Sequence, residues 1–113
     1  MCGIAGFIGK ESIDRGIISR TLNLMKNRGP DYQDWSSFMS GENKVYLLHS
    51  RLSIIDIDER SNQPYNIDNY TIIFNGEIYN YIEIREKLEN CGHVFQTESD
   101  TEVIINSYLE YGE

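Results

Sequence analysis

The chain has 113 residues, 40% hydrophobic and 25% charged, with a formal net charge of −8. That composition fits one ordinary globular domain, and the acidic balance opposes phosphate backbones and anionic lipid, so neither nucleic acid nor a membrane is an expected partner. No apolar run approaches the ~18 residues that cross a bilayer.

Taken in order, Gly3 to Ile8 is apolar on both alternating faces, which suits a strand lying between two layers. From Ser12 to Lys26 the residues Ile18, Leu22 and Met25 fall on one helical face, flanked by Ile17 and Leu24, and Gly29-Pro30 stops the helix. Trp35 to Met39 and Lys44 to Ile55 are strand-like around Ser40-Gly41-Glu42-Asn43, which predicts a hairpin; Tyr70 to Asn75 is a further strand-like run. Two helices close the chain. Each opens on an expected capping box, Asn80 with Glu83 and Ser99 with Glu102. The first carries Tyr81, Ile84 and Leu88 on one face and ends at Gly92, with Cys91 read as core; the second carries Val103, Ile104 and Tyr108. His93 to Thr97, between them, reads as a short strand. The class is therefore α+β. With no strand after the last helix to cover the sheet edges, a fragment of a larger domain is expected.

Cys2 and Cys91 make no metal-ligand or disulfide pattern, and no basic leader precedes Cys2, so reduced thiols in a cytoplasmic protein are expected. Removal of Met1 would give a first residue with both a thiol and a free α-amine, a nucleophile and its base in one place. Taken alone, Cys2 also reads as a small apolar residue opening a buried strand. Asn75-Gly76 supplies a side-chain amide beside a backbone N–H, the pairing that holds an oxyanion, although Asn-Gly is also the strongest hairpin signal. No returning strand of alternating pattern follows it. Arg51 lies among apolar neighbours and needs an anion, either a ligand carboxylate or one of 18 acidic side chains. Asp100 suits the first turn of a helix through the macrodipole alone. His49 reads as a structural group, and Arg28-Gly29-Pro30-Asp31 as a helix stop and a turn.

Together with Cys2, the segments Arg28-Gly29-Pro30-Asp31, His49 to Asp56, Gln63-Pro64, Phe74 to Asn80 and Ser99-Asp100 occur in an order and spacing that resembles the glutaminase domain of asparagine-synthetase-type class II glutamine amidotransferases. The resemblance runs from Cys2 to Gly112. It implies an N-terminal-nucleophile hydrolase fold, a four-layer αββα sandwich with antiparallel sheets, incomplete here: residues 1–113 would be the N-terminal portion of a single domain of that type.

It also implies roles. Cys2 would be the nucleophile that forms a thioester, with Asn75 and Gly76 as oxyanion hole. Arg51 would take the α-carboxylate of glutamine, the main chain of Leu52, Ser53, Ile54 and Ile55 would line the pocket, and Asp100 with Glu77 would receive the α-ammonium. Arg28, Gly29, Pro30 and Asp31 would be structural support close to the nucleophile. No metal and no cofactor is expected in this chain; ATP and Mg would belong to a C-terminal ATP-dependent synthetase domain, absent here, that receives the ammonia. Besides glutamine and that domain, the resemblance admits a homodimer. Two other readings stay open: a non-catalytic fragment or regulatory module, which retention of Met1 would favour, and an amidotransferase for cell-surface polysaccharide or other amide synthesis. The ammonia acceptor is not legible in these residues.

Overall fold

In the computed structural model, which describes residues 1–113, the N-terminal apolar run forms strand β1 (Gly3–Gly9) and the amphipathic segment forms helix α1 (Arg15–Met25). The helix starts three residues later than its periodicity suggests because Asp14 caps it, accepting the Gly16 N–H at 2.7 Å. Strands β2 (Tyr32–Ser40) and β3 (Asn43–Arg51) are the expected hairpin. It closes through Gly41 at φ 60°, a left-handed conformation that glycine adopts without strain. β1 lies antiparallel along the other side of β3, so β3 is the central strand of the sheet.

The two faces of β3 meet different surroundings. Tyr46 and Leu48 face α1 and form the buried core with Ile18, supported by Ala5, Leu22, Met25 and Trp35. Val45, Leu47, His49 and Arg51 share the opposite face with the cross-strand residues Ile4, Ile8, Asp34 and Phe38. There Ile4 is 46% and Ile8 70% exposed, so β1 is not covered on both sides along its length as its sequence suggests. α1 packs on one face only.

After β3 the chain makes a short 3₁₀ turn (Glu59–Ser61) and a ribbon of β4 (Tyr65–Ile67) and β5 (Tyr70–Ile72), then helices α2 (Tyr81–Asn90) and α3 (Asp100–Tyr111). α2 packs on α3, and α3 on the β4–β5 ribbon. The architecture is a small α+β fold with antiparallel sheets and three helices.

Three strand expectations are corrected. β3 stops at Arg51 rather than Ile55, the Tyr70 run stops at Ile72 rather than Asn75, and His93 to Thr97 is not a strand. The cause is common to all three: side chains from outside each segment take backbone donors that a ladder would use. The Leu52 N–H meets Cys2 Sγ at 3.3 Å and the Ser53 N–H meets Asp31 Oδ2 at 2.7 Å. The Phe74 N–H donates to Gln63 Oε1 at 2.6 Å, and the buried Glu102 carboxylate accepts from Gln96 and Thr97 N–H at 2.9 and 2.7 Å.

The helices also depart from expectation in detail. Asn80 makes no side-chain cap bond. Ser99 Oγ does accept the Thr101 N–H at 3.1 Å, but Glu102 reaches the preceding loop instead of closing a box. Cys91 is exposed rather than core, because α2 ends at Asn90 and Gly92, at φ 99°, turns the chain away; Leu88 fills the buried position. In α3 the buried apolar residues are Val103 and Ile105, while Tyr108 is exposed and meets Tyr70 edge-on at 5.4 Å.

The unequal faces give a test. Leu48→Ala, in the core, is expected to cost about 2–5 kcal/mol in chemical denaturation, whereas Ile8→Ala on the open face should change stability by no more than about 0.5 kcal/mol. Comparable losses at both sites would show that the second face is covered in solution.

Candidate functional site

The start of β1, the end of β3, the segment from Phe74 and the first turn of α3 converge on a cleft of about 350 Å³. It is lined by Cys2, Arg51, Asn75, Gly76, Glu77 and Asp100, residues far apart in sequence. Leu52, Ile54 and Ile55 line it too. Ser53 does not: its N–H turns away to Asp31.

Pairing of Gly3 with Ser50 sets Cys2 beside the point where β3 ends. The half-buried thiol lies 3.3 Å from the Leu52 nitrogen and 3.7 Å from the Leu52 carbonyl oxygen. The Arg28–Asp31 turn holds both neighbours. Arg28 Nε donates to the Cys2 carbonyl at 3.3 Å, the Asp31 N–H donates to the Arg51 carbonyl at 3.0 Å, and the Asp31 carboxylate takes Ser53 as described. Gly29 lies directly against the Ser50–Arg51 main chain, with no room for a side chain. None of these four residues lines the cleft.

Arg51 is buried, and its guanidinium donates to the Asp58 carbonyl at 2.9 Å, to Asn62 Oδ1 at 2.6 Å and to the Asp56 carbonyl. No carboxylate forms an ion pair with it. These dipoles take only part of the five-donor guanidinium, and with no carboxylate paired to it the group keeps its charge and its remaining donors at the cleft wall, an arrangement that favours an anionic ligand. The loop that supplies those carbonyls is itself pinned. Asp56 accepts from Asp58 N–H at 2.9 Å, Ser61 Oγ at 2.5 Å and Glu98 N–H at 2.9 Å. Burial raises the Asp56 carboxyl pKa, but these three donors together outweigh it and hold the group below the usual carboxylate range.

Asp100, also buried, sits in the first turn of α3 and accepts the Ile78 N–H at 3.0 Å. Neither Asp100 nor Glu77 is in an ion pair. The Asn75 side-chain amide and the Gly76 N–H make no hydrogen bond within the chain, so both donors are free at the cleft wall. The cleft thus offers an uncompensated cation, two unpaired carboxylates, a thiol and two unused donors.

His49, fully buried on β3, has Nε2 3.2 Å from the Phe74 carbonyl oxygen, and Nδ1 has no partner. That contact places the proton on Nε2. Burial pushes the imidazole pKa below its ordinary value, and the Arg51 charge adds to this against the opposing pull of the Phe74 carbonyl. No three His, Cys, Asp or Glu side chains gather closely enough to hold a metal ion.

Sequence reasoning did not single out Asp58, Asn62 or Thr101. For Asp58 and Asn62 the only signal is the polar stretch from Asp56 to Gln63, legible as a loop but not as the cage of a guanidinium; Thr101 has none beyond its place in the first turn of α3.

The model of the glutamine amidotransferase domain family matches residues 1–113. Asparagine synthetase [glutamine-hydrolyzing] 3 of Bacillus subtilis (strain 168) is 40% identical over 120 residues, covering 100% of this chain and 19% of the relative. The asparagine synthetase [glutamine-hydrolyzing] of Zea mays is 42% identical over 117 residues, again covering 100% of this chain and 19% of the relative. That named number 1 in Arabidopsis thaliana is 40% identical over 117 residues, covering 99% and 19%. The chain spans about one fifth of the length of the curated relatives it matches.

The close approach of Gly29 is testable. A Cβ there would overlap the Ser50 carbonyl and lie 2.6 Å from the Arg51 nitrogen, where backbone rather than a flexible side chain must yield. Gly29→Ala is expected to cost about 1–3 kcal/mol in denaturant titration. Unchanged stability would mean that the turn does not sit against β3.

Proposed function

Because the chain belongs to the glutamine amidotransferase domain family over its whole length, we propose that the cleft hydrolyses the side-chain amide of glutamine to glutamate and ammonia. One observation carries this reading: the uncompensated Arg51 guanidinium and the unpaired Asp100 carboxylate lie in the same cleft as the Cys2 thiol. A free α-amino acid presents the matching pair of charges. The planar fork of Arg51 takes the α-carboxylate, Asp100 with Glu77 takes the α-ammonium, and the side chain extends toward Cys2.

The chemistry then needs a base and an oxyanion site. Removal of Met1, which is 71% exposed, frees the α-amine of Cys2. That amine accepts the thiol proton as Sγ attacks the amide carbon. The oxyanion is held by the Asn75 side-chain amide and the Gly76 N–H, and the amine returns the proton to the leaving nitrogen as the C–N bond breaks. Ammonia departs and a γ-glutamyl thioester remains. Water, deprotonated by the same amine, attacks the thioester, and Sγ leaves with the proton. The sum is glutamine plus water giving glutamate plus ammonia.

The relatives' names and the one-fifth coverage support a wider proposal. Residues 1–113 are the N-terminal portion of a four-layer N-terminal-nucleophile domain, and the ammonia passes to an ATP-dependent synthetase domain where ATP and Mg bind. A second reading has its own observation, since Met1 lines the cleft. With Met1 retained, the Cys2 nitrogen is an amide and cannot serve as base, and the chain would be a binding module without turnover.

Glutamate release from wild-type and variant proteins, as this chain and extended through the rest of the domain, tests the assignment. Cys2→Ala and Cys2→Ser should lose at least about 10³-fold in activity with the fold intact, and mass spectrometry should find Met1 absent from active wild-type protein. Activity within a few-fold of wild type in either variant would remove Cys2 from the mechanism.

The binding and oxyanion roles should separate kinetically. Arg51→Lys keeps the charge but loses the fork for a group present in ground and transition states alike, so it should act chiefly on KM. Asn75→Ala removes a donor used only by the transition state and should lower kcat by about 10²–10³-fold. The same pattern in both variants would contradict this division.

A further inference from the structure

Gln63 takes no part in the chemistry above, yet it is buried and joins two walls of the cleft. Its Oε1 accepts the Phe74 N–H at 2.6 Å and its Nε2 donates to Thr101 Oγ1 at 3.1 Å. Phe74 immediately precedes Asn75, and Thr101 immediately follows Asp100. The Phe74 carbonyl is fixed as well, by His49 Nε2 at 3.2 Å. Both peptide groups flanking the Phe74 Cα are thus held by buried side chains of other elements.

The far end of the same segment is tied by the Ile78 N–H to the Asp100 carboxylate at 3.0 Å. Between these anchors lie Asn75, Gly76 and Glu77, whose own donors are unpaired. A three-residue span held at both ends has little freedom to tilt, and the side-chain amide of Asn75 and the N–H of Gly76 inherit their direction from it. Free donors help catalysis only when their direction is set before the charge develops.

We propose that Gln63 is a positioning residue: with His49 it clamps Phe74 so that the Asn75 and Gly76 donors face the developing oxyanion, and through Thr101 it fixes that wall relative to Asp100. This rests on the reading of the cleft as a glutaminase site. Gln63 also borders the cleft, but both of its side-chain polar atoms are engaged by Phe74 and Thr101, so it acts through them. Its effect is on the transition state, since the α-carboxylate and α-ammonium contacts lie with other residues.

The experiment uses the protein extended through its complete domain and compares wild type, Gln63→Leu and Gln63→Glu by steady-state glutamate release and by amide hydrogen exchange at Phe74. Gln63→Leu removes both polar atoms at similar volume. It should expose the Phe74 amide to exchange and lower kcat by about 10²-fold, the size of effect a misplacement of about 1 Å produces, with KM within about threefold of wild type. Gln63→Glu still accepts the Phe74 N–H, and the Thr101 hydroxyl can turn to donate to it. That variant should keep Phe74 protected and recover at least about tenfold of the lost kcat.

An unchanged kcat in Gln63→Leu overturns the proposal, as does a loss shared equally between kcat and KM that tracks a lowered melting temperature, which would mark a purely structural role. Should Gln63→Leu not fold, Gln63→Glu alone decides: loss of Phe74 protection there, or normal protection with kcat reduced as far as in Asn75→Ala, overturns it. A wild-type protein that releases no glutamate overturns the glutaminase reading, and Phe74 exchange still reports whether the clamp exists.

Discussion

A buried guanidinium is expensive unless its donors find partners, and Arg51 finds them in two main-chain carbonyls and one side-chain amide rather than in a carboxylate. The consequences spread outward from it. The carbonyls of Asp56 and Asp58 can turn inward only if the loop after β3 folds back on itself, and Asp56 holds that fold by gathering three donors on its carboxylate. One of those donors is the Glu98 N–H, just before α3. The cage of one cation therefore places the helix that carries Asp100. Solvating a cation with dipoles instead of an anion leaves its charge available to a ligand, at the cost of a long and specific loop.

The same economy of backbone partners shapes the rest of the cleft. Where β3, the Tyr70 run and the His93–Thr97 segment depart from a ladder, side chains take several of their N–H groups. Cys2, Asp31, Gln63 and Glu102 receive them. The candidate site residues sit at these departures because a strand that leaves its ladder changes direction and exposes main-chain atoms that a continuous strand would use up. Leu52 and Phe74 are two such points, and they flank Cys2 and Asn75 respectively.

Much of this was legible in the sequence, and the limits are specific. The hairpin around Gly41, the amphipathic α1 and the starts of α2 and α3 follow from turn chemistry, periodicity and boundary residues, all of which are local. The gathering of Cys2, Arg51, Asn75, Gly76, Glu77 and Asp100 followed from a resemblance carried by ordered motifs, not from composition. What stayed hidden depends on side-chain pairings that no propensity or spacing rule fixes: nothing in the pattern says that Glu102 reaches back to Thr97 instead of capping its own helix, or that Asn62 completes the Arg51 cage. Cys91 misled for a related reason. Its spacing from Leu88 suits a helix interior, but the helix ends one residue before it.

The two contacts between Cys2 and Leu52 differ in direction. As a thiol, the sulfur donates to the Leu52 carbonyl oxygen; as a thiolate, it accepts from the Leu52 N–H. A single residue of main chain thus offers a partner to each protonation state, and the exchange between them requires no heavy atom to travel. In bulk water, loss of that proton would be followed by reorientation of a solvent shell. Here both partners already stand in place in the main chain, whichever form the sulfur takes.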